Sequence, residues 1–166
     1  MYETTFQLYE GWVEGELVCD KTQKTILNLR EHFQFKNHNM VMKLAGVALA
    51  ASLKGDSSVL NFMSIGTGSS NEINTASSLD AELSRKSVSV NYDTTTSGVL
   101  VSGSFSNRLV VTAVFDTSVV GTISEMAIWS SGTSVLNSGI MLSRKKVTPI
   151  TKTAETSLRL TWNLVF

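Results

Sequence analysis

The carboxyl-terminal stretch sets the tightest limit on the fold: Leu158, Leu160, Trp162, Leu164 and Phe166 alternate with Ser157, Arg159, Thr161 and Asn163. A period of two suits a strand with one face buried and the other wet, the pattern of an antiparallel sheet over a core. It also makes register strict, because a slip of one residue would turn Trp162 to water. The same period runs backwards through the chain, in Leu136 to Leu142, Ile123 to Trp129, Leu109 to Phe115, Val99 to Phe105, Val88 to Tyr92 and the apolar run Val59 to Ile65. Strands spaced about 8–12 residues apart with turns between them predict a mainly β fold, an antiparallel β-sandwich of jelly-roll-like type. Parallel βαβ units need a helix between strands, and no segment after Leu83 offers one. Leu79 to Leu83 reads as a single helical turn, and Pro149 as a residue ahead of the last strand, clear of any ladder.

One longer helix is expected just before the strands. Asn37 or Asn39 can cap its start, Val41, Leu44, Ala45 and Ala48 follow helical spacing, and Gly55 stands where a left-handed C-terminal cap is wanted. The chain thus divides into residues 1–55, an arm and helix for attachment, and residues 56–166, the sandwich. The arm is rich in aromatics, and such a segment needs a cover. Phe6, Tyr9, Trp12, Phe33, Phe35 and Leu44 are the candidate assembly contacts.

Composition narrows the partners. Of 166 residues, 42% are hydrophobic and 17% charged, with fourteen basic side chains balancing fourteen acidic ones. A neutral chain has no inherent pull on phosphate backbones or anionic lipid, so neither nucleic acid nor membrane is expected as a partner. The longest apolar stretch, Met40 to Leu53, is too short to span a bilayer, and no leader pattern precedes it. Cys19, the single cysteine, reads as a small apolar side chain of a protein made in a reducing cytoplasm.

Chemistry-bearing motifs are weak. Gly66-Thr67-Gly68 begins like a dinucleotide loop, but Asn71 stands at the third glycine and no long helix follows, so turn glycines are the expectation. His32 and His38 lie in or beside the arm with no carboxylate at metal-binding spacing. Asp80 and Glu82 before Arg85 and Lys86 read as charge pairing within one turn rather than as a glycosidase pair. Arg144-Lys145-Lys146 reads as a solvated loop or a contact to an acidic patch. Glu125 stands out. It lies in TISEMAIW on the side assigned to Ile123, Ala127 and Trp129, and a half-buried carboxylate there needs Arg144 or a row of backbone N–H groups. Glu125 and Arg144 are the candidate structural ion pair. No catalytic group, cofactor or metal is expected.

Three segments taken in order carry a resemblance: MSIGTGSSNEINTASSLDAELSRKSVSV, then ISEMAIWSSGTSVLNSGIMLSRKKVTPITKT, then SLRLTWNLVF. A Gly-Thr-Gly turn after an apolar strand, a Leu-x-x-Glu-Leu-x-Arg stretch, a strand ending in Met-Leu-x-Arg and a terminal alternating strand resemble tail-fibre-like and appendage proteins of tailed phages. The resemblance spans Asn61 to Phe166. It implies a non-enzymatic virion protein, sandwich-like and commonly trimeric, whose partners are other virion proteins in a tail fibre or baseplate. Two alternatives stand beside it: a capsid decoration protein, and a module gripping host-surface glycan through aromatics such as Trp129 or Tyr92.

Overall fold

The computed structural model describes residues 10–28, 40–42, 44–55, 60–92 and 108–165. The fold is mainly β, and the described residues form two five-stranded antiparallel sheets facing each other. The first sheet runs β2 (Lys24–Asn28), β1 (Glu10–Cys19), β10 (Thr156–Val165), β7 (Arg108–Phe115), β6 (Ser89–Tyr92). The second runs β3 (Met40–Val41), β9 (Ile140–Lys152), β8 (Gly121–Ser130), β4 (Leu60–Gly66), β5 (Glu82–Ser87). Between them the alternating positions of β10 and β7 (Leu158, Leu160, Trp162, Leu164; Val111, Ala113, Phe115) meet Met63, Ile65, Ile123, Met126 and Ile128 of the opposite sheet. Burial of these side chains, each worth about 1.5–3 kcal/mol when large and fully enclosed, is what holds the layers together.

The expected boundary at residue 55 is not where the layers divide. β1 pairs with β10 along its whole length, from Glu10 opposite Val165 to Cys19 opposite Thr156, and Leu17 belongs to the shared core. Much of the stretch expected as an attachment arm is therefore an inner strand of the first sheet. The reason lies in Leu17 and Val18: both are buried, which a loose arm could not achieve.

The helix α1 (Ala45–Lys54) is shorter than expected. Met40 and Val41 pair with Arg144 and Ser143 as an edge strand, and Leu44, not an asparagine, stands at the N-cap. Gly55 closes the other end at φ 91°, its N–H bonded to the carbonyls of Ala51 and Ser52. Ala48 faces inward, whereas Leu44, Val47 and Leu53 stay exposed.

Three departures from strict alternation matter. Leu79 to Leu83 forms no helical turn; β5 starts at Glu82. Ile123 pairs with Ile150 and Glu125 with Lys146, so Val147, Thr148 and Pro149 stand opposite Ser124 alone. Pro149 is thus within β9, at a bulge where its missing N–H breaks no ladder. The bulge also reverses facing: Ile123 joins the inter-sheet core, whereas Ala127 and Trp129 look out the other way. Finally, Arg144-Lys145-Lys146 is in mid-strand, with Arg144 buried, and is not a solvated loop.

Candidate functional site

β8 is buried on both faces because a second apolar cluster, made by Met42, Leu79, Ala127, Trp129 and Met141, covers the back of the second sheet. Two loops lie over this face, residues 67–81 and residues 131–139. Under the first sits an ionisable cluster of Glu125, Arg144 and Asp80.

Glu125 is its centre and is wholly buried. Its Oε1 accepts from the backbone N–H of Gly68 at 3.0 Å and of Ala81 at 2.9 Å. Its Oε2 accepts from the Asp80 N–H at 3.2 Å and from Arg144 Nη2 at 2.8 Å. The structure thus brings together the two residues singled out in the sequence, Glu125 and Arg144, and supplies the row of N–H groups as well. Arg144 Nη2 also donates to Asp80 Oδ2 at 2.9 Å, and that oxygen takes the Ser70 N–H at 3.0 Å. Hydrogen bonds from Ser70, and then from Arg144, hold the Asp80 carboxyl below the usual carboxylate range. One guanidinium serves two carboxylates, and backbone dipoles supply the remaining stabilisation of negative charge. Arg144 Nε is buried without a partner.

The Gly-Thr-Gly segment has a role beyond turning. A Cβ on Gly66 would stand 2.6 Å from the Ala81 carbonyl oxygen and 2.7 Å from Glu125 Oε1. One on Gly68 would stand 2.6 Å from Asp80 Cβ and 2.7 Å from Glu125 Cδ. The glycines let the loop backbone close down on the carboxylate, and Ser124 Oγ adds a bond to the Gly68 carbonyl at 2.7 Å.

A second buried pair lies beside it. Glu82 and Arg85 meet side-on, Nε to Oε1 at 2.7 Å and Nη2 to Oε2 at 2.8 Å. In a regular strand residues three apart face opposite ways; here Gly66 pairs with Glu82 and Ile65 with Ser84, so Leu83 is the extra residue and both side chains share a face. Arg85 Nη1 donates to the carbonyls of Thr133 and Ser138, and its guanidinium lies 4.8 Å from the Trp129 ring centre. Asn137, at φ 54°, gives its N–H to Glu82 and accepts from the Leu79 N–H at 3.1 Å, tying the two loops together.

Lys152 is buried on the far edge. Its Nζ donates to the carbonyls of Asp116 at 2.6 Å and Val119 at 2.7 Å, and to that of Thr156. Burial lowers its pKa.

Of the expected assembly contacts, Phe6, Tyr9, Phe33 and Phe35 lie outside the described residues, as do His32 and His38. Trp12 is on β1, with its side chain outside the description, and Leu44 is 39% exposed at the start of α1. Trp129, expected as an exposed glycan contact, is instead fully buried, its Nε1 bonded to Ser64 Oγ at 2.6 Å. Sequence reading missed Asp80, Gly68 and Ala81 as partners of Glu125; the Gly-Thr-Gly spacing was the available signal. Among the described residues no group of three or more His, Cys, Asp or Glu is placed to hold a metal ion, and no helix is long and apolar enough to cross a membrane. In comparison with known proteins, no family model and no curated protein matches the chain.

Proposed function

We propose that this chain is a non-enzymatic structural protein of a tailed-virus virion, a tail-fibre, baseplate or other surface component that acts through protein–protein contacts, as a homo-oligomer with a trimer favoured. The observation that carries the reading is the closure of the Glu125 cluster on itself. Both carboxylate oxygens of Glu125 are taken up by backbone N–H groups and Arg144, and none is directed at solvent. A carboxylate bonded this way fixes a loop; it is in no position to move a proton on a substrate. The second pair, Glu82 with Arg85, is engaged in the same manner. What results is a stiff scaffold with its polar groups committed inward, suited to a part packed among neighbours. The exposed Leu44, Val47 and Leu53 of α1 add apolar surface for such packing.

The test follows a tagged full-length chain through density-gradient purification of particles from a producing host, with gold labelling and native mass spectrometry. The expected result is co-sedimentation with particles, label on the tail and a trimeric mass. Label over the head shell would favour the capsid decoration reading. Absence from particles, with binding to a glycan array, would replace the proposal by the carbohydrate-binding one.

A further inference from the structure

We propose that residues 67–81 form an acid-released strap over the apolar back face of the second sheet. The strap has little apolar grip of its own: only Leu79, buried, and Ala76, partly so, reach the cluster of Met42, Ala127, Trp129 and Met141. Its polar tethers are dominated by three carboxylates. Glu125 holds Gly68, Asp80 and Ala81; Asp80 holds Ser70 and is itself held by Arg144; Glu72 takes the Lys146 N–H. Three tethers involve no carboxylate: Ser124 Oγ to the Gly68 carbonyl, the Leu79 N–H to Asn137 Oδ1, and Lys146 Nζ to the Ser69 carbonyl.

The charged groups facing the clamp are few. Arg144 and Lys146 come from β9, with Lys146 Nζ on the Ser69 carbonyl. Glu82 and Arg85, from β5, are saturated by each other and by the 131–139 loop. Adding a proton to Asp80 places an O–H opposite the Ser70 N–H and leaves Arg144 with less opposing charge, so both tethers made by that carboxyl weaken. The sign follows from Asp80. Its carboxyl is held below the usual range, so its contribution is complete above about pH 4 and is lost as pH falls through the lower folded value. The contacts between the sheets are made by apolar side chains such as Met63, Phe115, Met126 and Trp162, so the sandwich persists while the strap lifts and uncovers Trp129 and Met141.

Hydrogen exchange read by mass spectrometry on the full chain tests this, with rates corrected for the intrinsic effect of pH. At about pH 3, relative to neutral pH, amides of residues 67–81 are expected to lose protection by about tenfold or more while those of β10 keep theirs. Asp80→Asn is expected to give fast strap exchange already at neutral pH, with a smaller response to acid. Loss of strap and β10 protection together, or strap protection that stays flat over the whole range, would overturn the proposal. So would Asp80→Asn behaving like the native chain.

Discussion

Replacing Glu125 by Gln keeps shape and volume and removes charge, so its cost can be worked from the four bonds. If the new amide nitrogen takes the place of Oε1, it faces the N–H groups of Gly68 and Ala81; if it takes the place of Oε2, it faces the Asp80 N–H and Arg144 Nη2. Either way two donors lose their acceptor and meet a donor. Two hydrogen bonds to a charged acceptor at roughly 1.5–3 kcal/mol each give about 3–6 kcal/mol, in line with about 3–5 for breaking a buried ion pair. Against a total stability of roughly 5–15 kcal/mol this is a large share. With an m-value of about 2 kcal/mol/M in urea, the unfolding midpoint falls by about 2 M, read by circular dichroism at neutral pH. The double substitution Glu125→Leu with Arg144→Leu separates the causes. An ordinary buried pair is replaced by apolar residues at little cost. Here the N–H groups of Gly68, Asp80 and Ala81 would remain without acceptors, at roughly 1–3 kcal/mol each, so the double variant stays well below the native chain. A double variant of native stability, or a Glu125→Gln midpoint within about 0.3 M of native, would refute the reasoning.

Gly68→Ala forces a methyl against Asp80 and Glu125 and should lower stability by about 2 kcal/mol, whereas Gly46→Ala, with open space inside α1, should raise it by about 0.5–1; paired thermal melts check both signs. Lys152→Met leaves three carbonyls without a donor and should destabilise the chain by about 2 kcal/mol at neutral pH. Because burial lowers the Lys152 pKa, the native chain releases that proton earlier than the unfolded one, so its stability relative to Lys152→Met should rise as pH climbs toward about 10.5, as urea titrations at several pH values would read. Deleting residues 1–35 removes β1 and β2 and should abolish folding, read as loss of the strand signal in circular dichroism.

The alternation of β10 was legible because Leu158, Leu160, Trp162 and Leu164 face one core while Arg159 between them stays exposed. β8 was harder, since Ala127 and Trp129 are buried on the face opposite Met126 and Ile128, and a strand enclosed on both sides loses its period. Bulges are nearly silent in sequence. The extra residues at Leu83 and around Pro149 shift facing by one without any change in residue type, which is why Glu82 and Arg85 looked like a helical pair and Ile123 looked like a neighbour of Glu125. Glu125 itself was conspicuous as a carboxylate in an apolar strand, and Arg144 as the nearest plausible counter-ion. Asp80 was not, because its place depends on how a fifteen-residue loop folds back, which only the tertiary structure decides.

The pairing of β1 with β10 has a consequence for biogenesis. β1 leaves the ribosome early and can pair with β2 at once, yet its partner on the other side is made only after β9, so that edge of Leu17 and Val18 must wait open through most of synthesis. Topologies ruled by such distant contacts fold slowly and expose sticky edges meanwhile. A nascent chain stalled before Thr156 therefore carries half a sandwich, and chaperone demand should scale with translation pauses in that stretch.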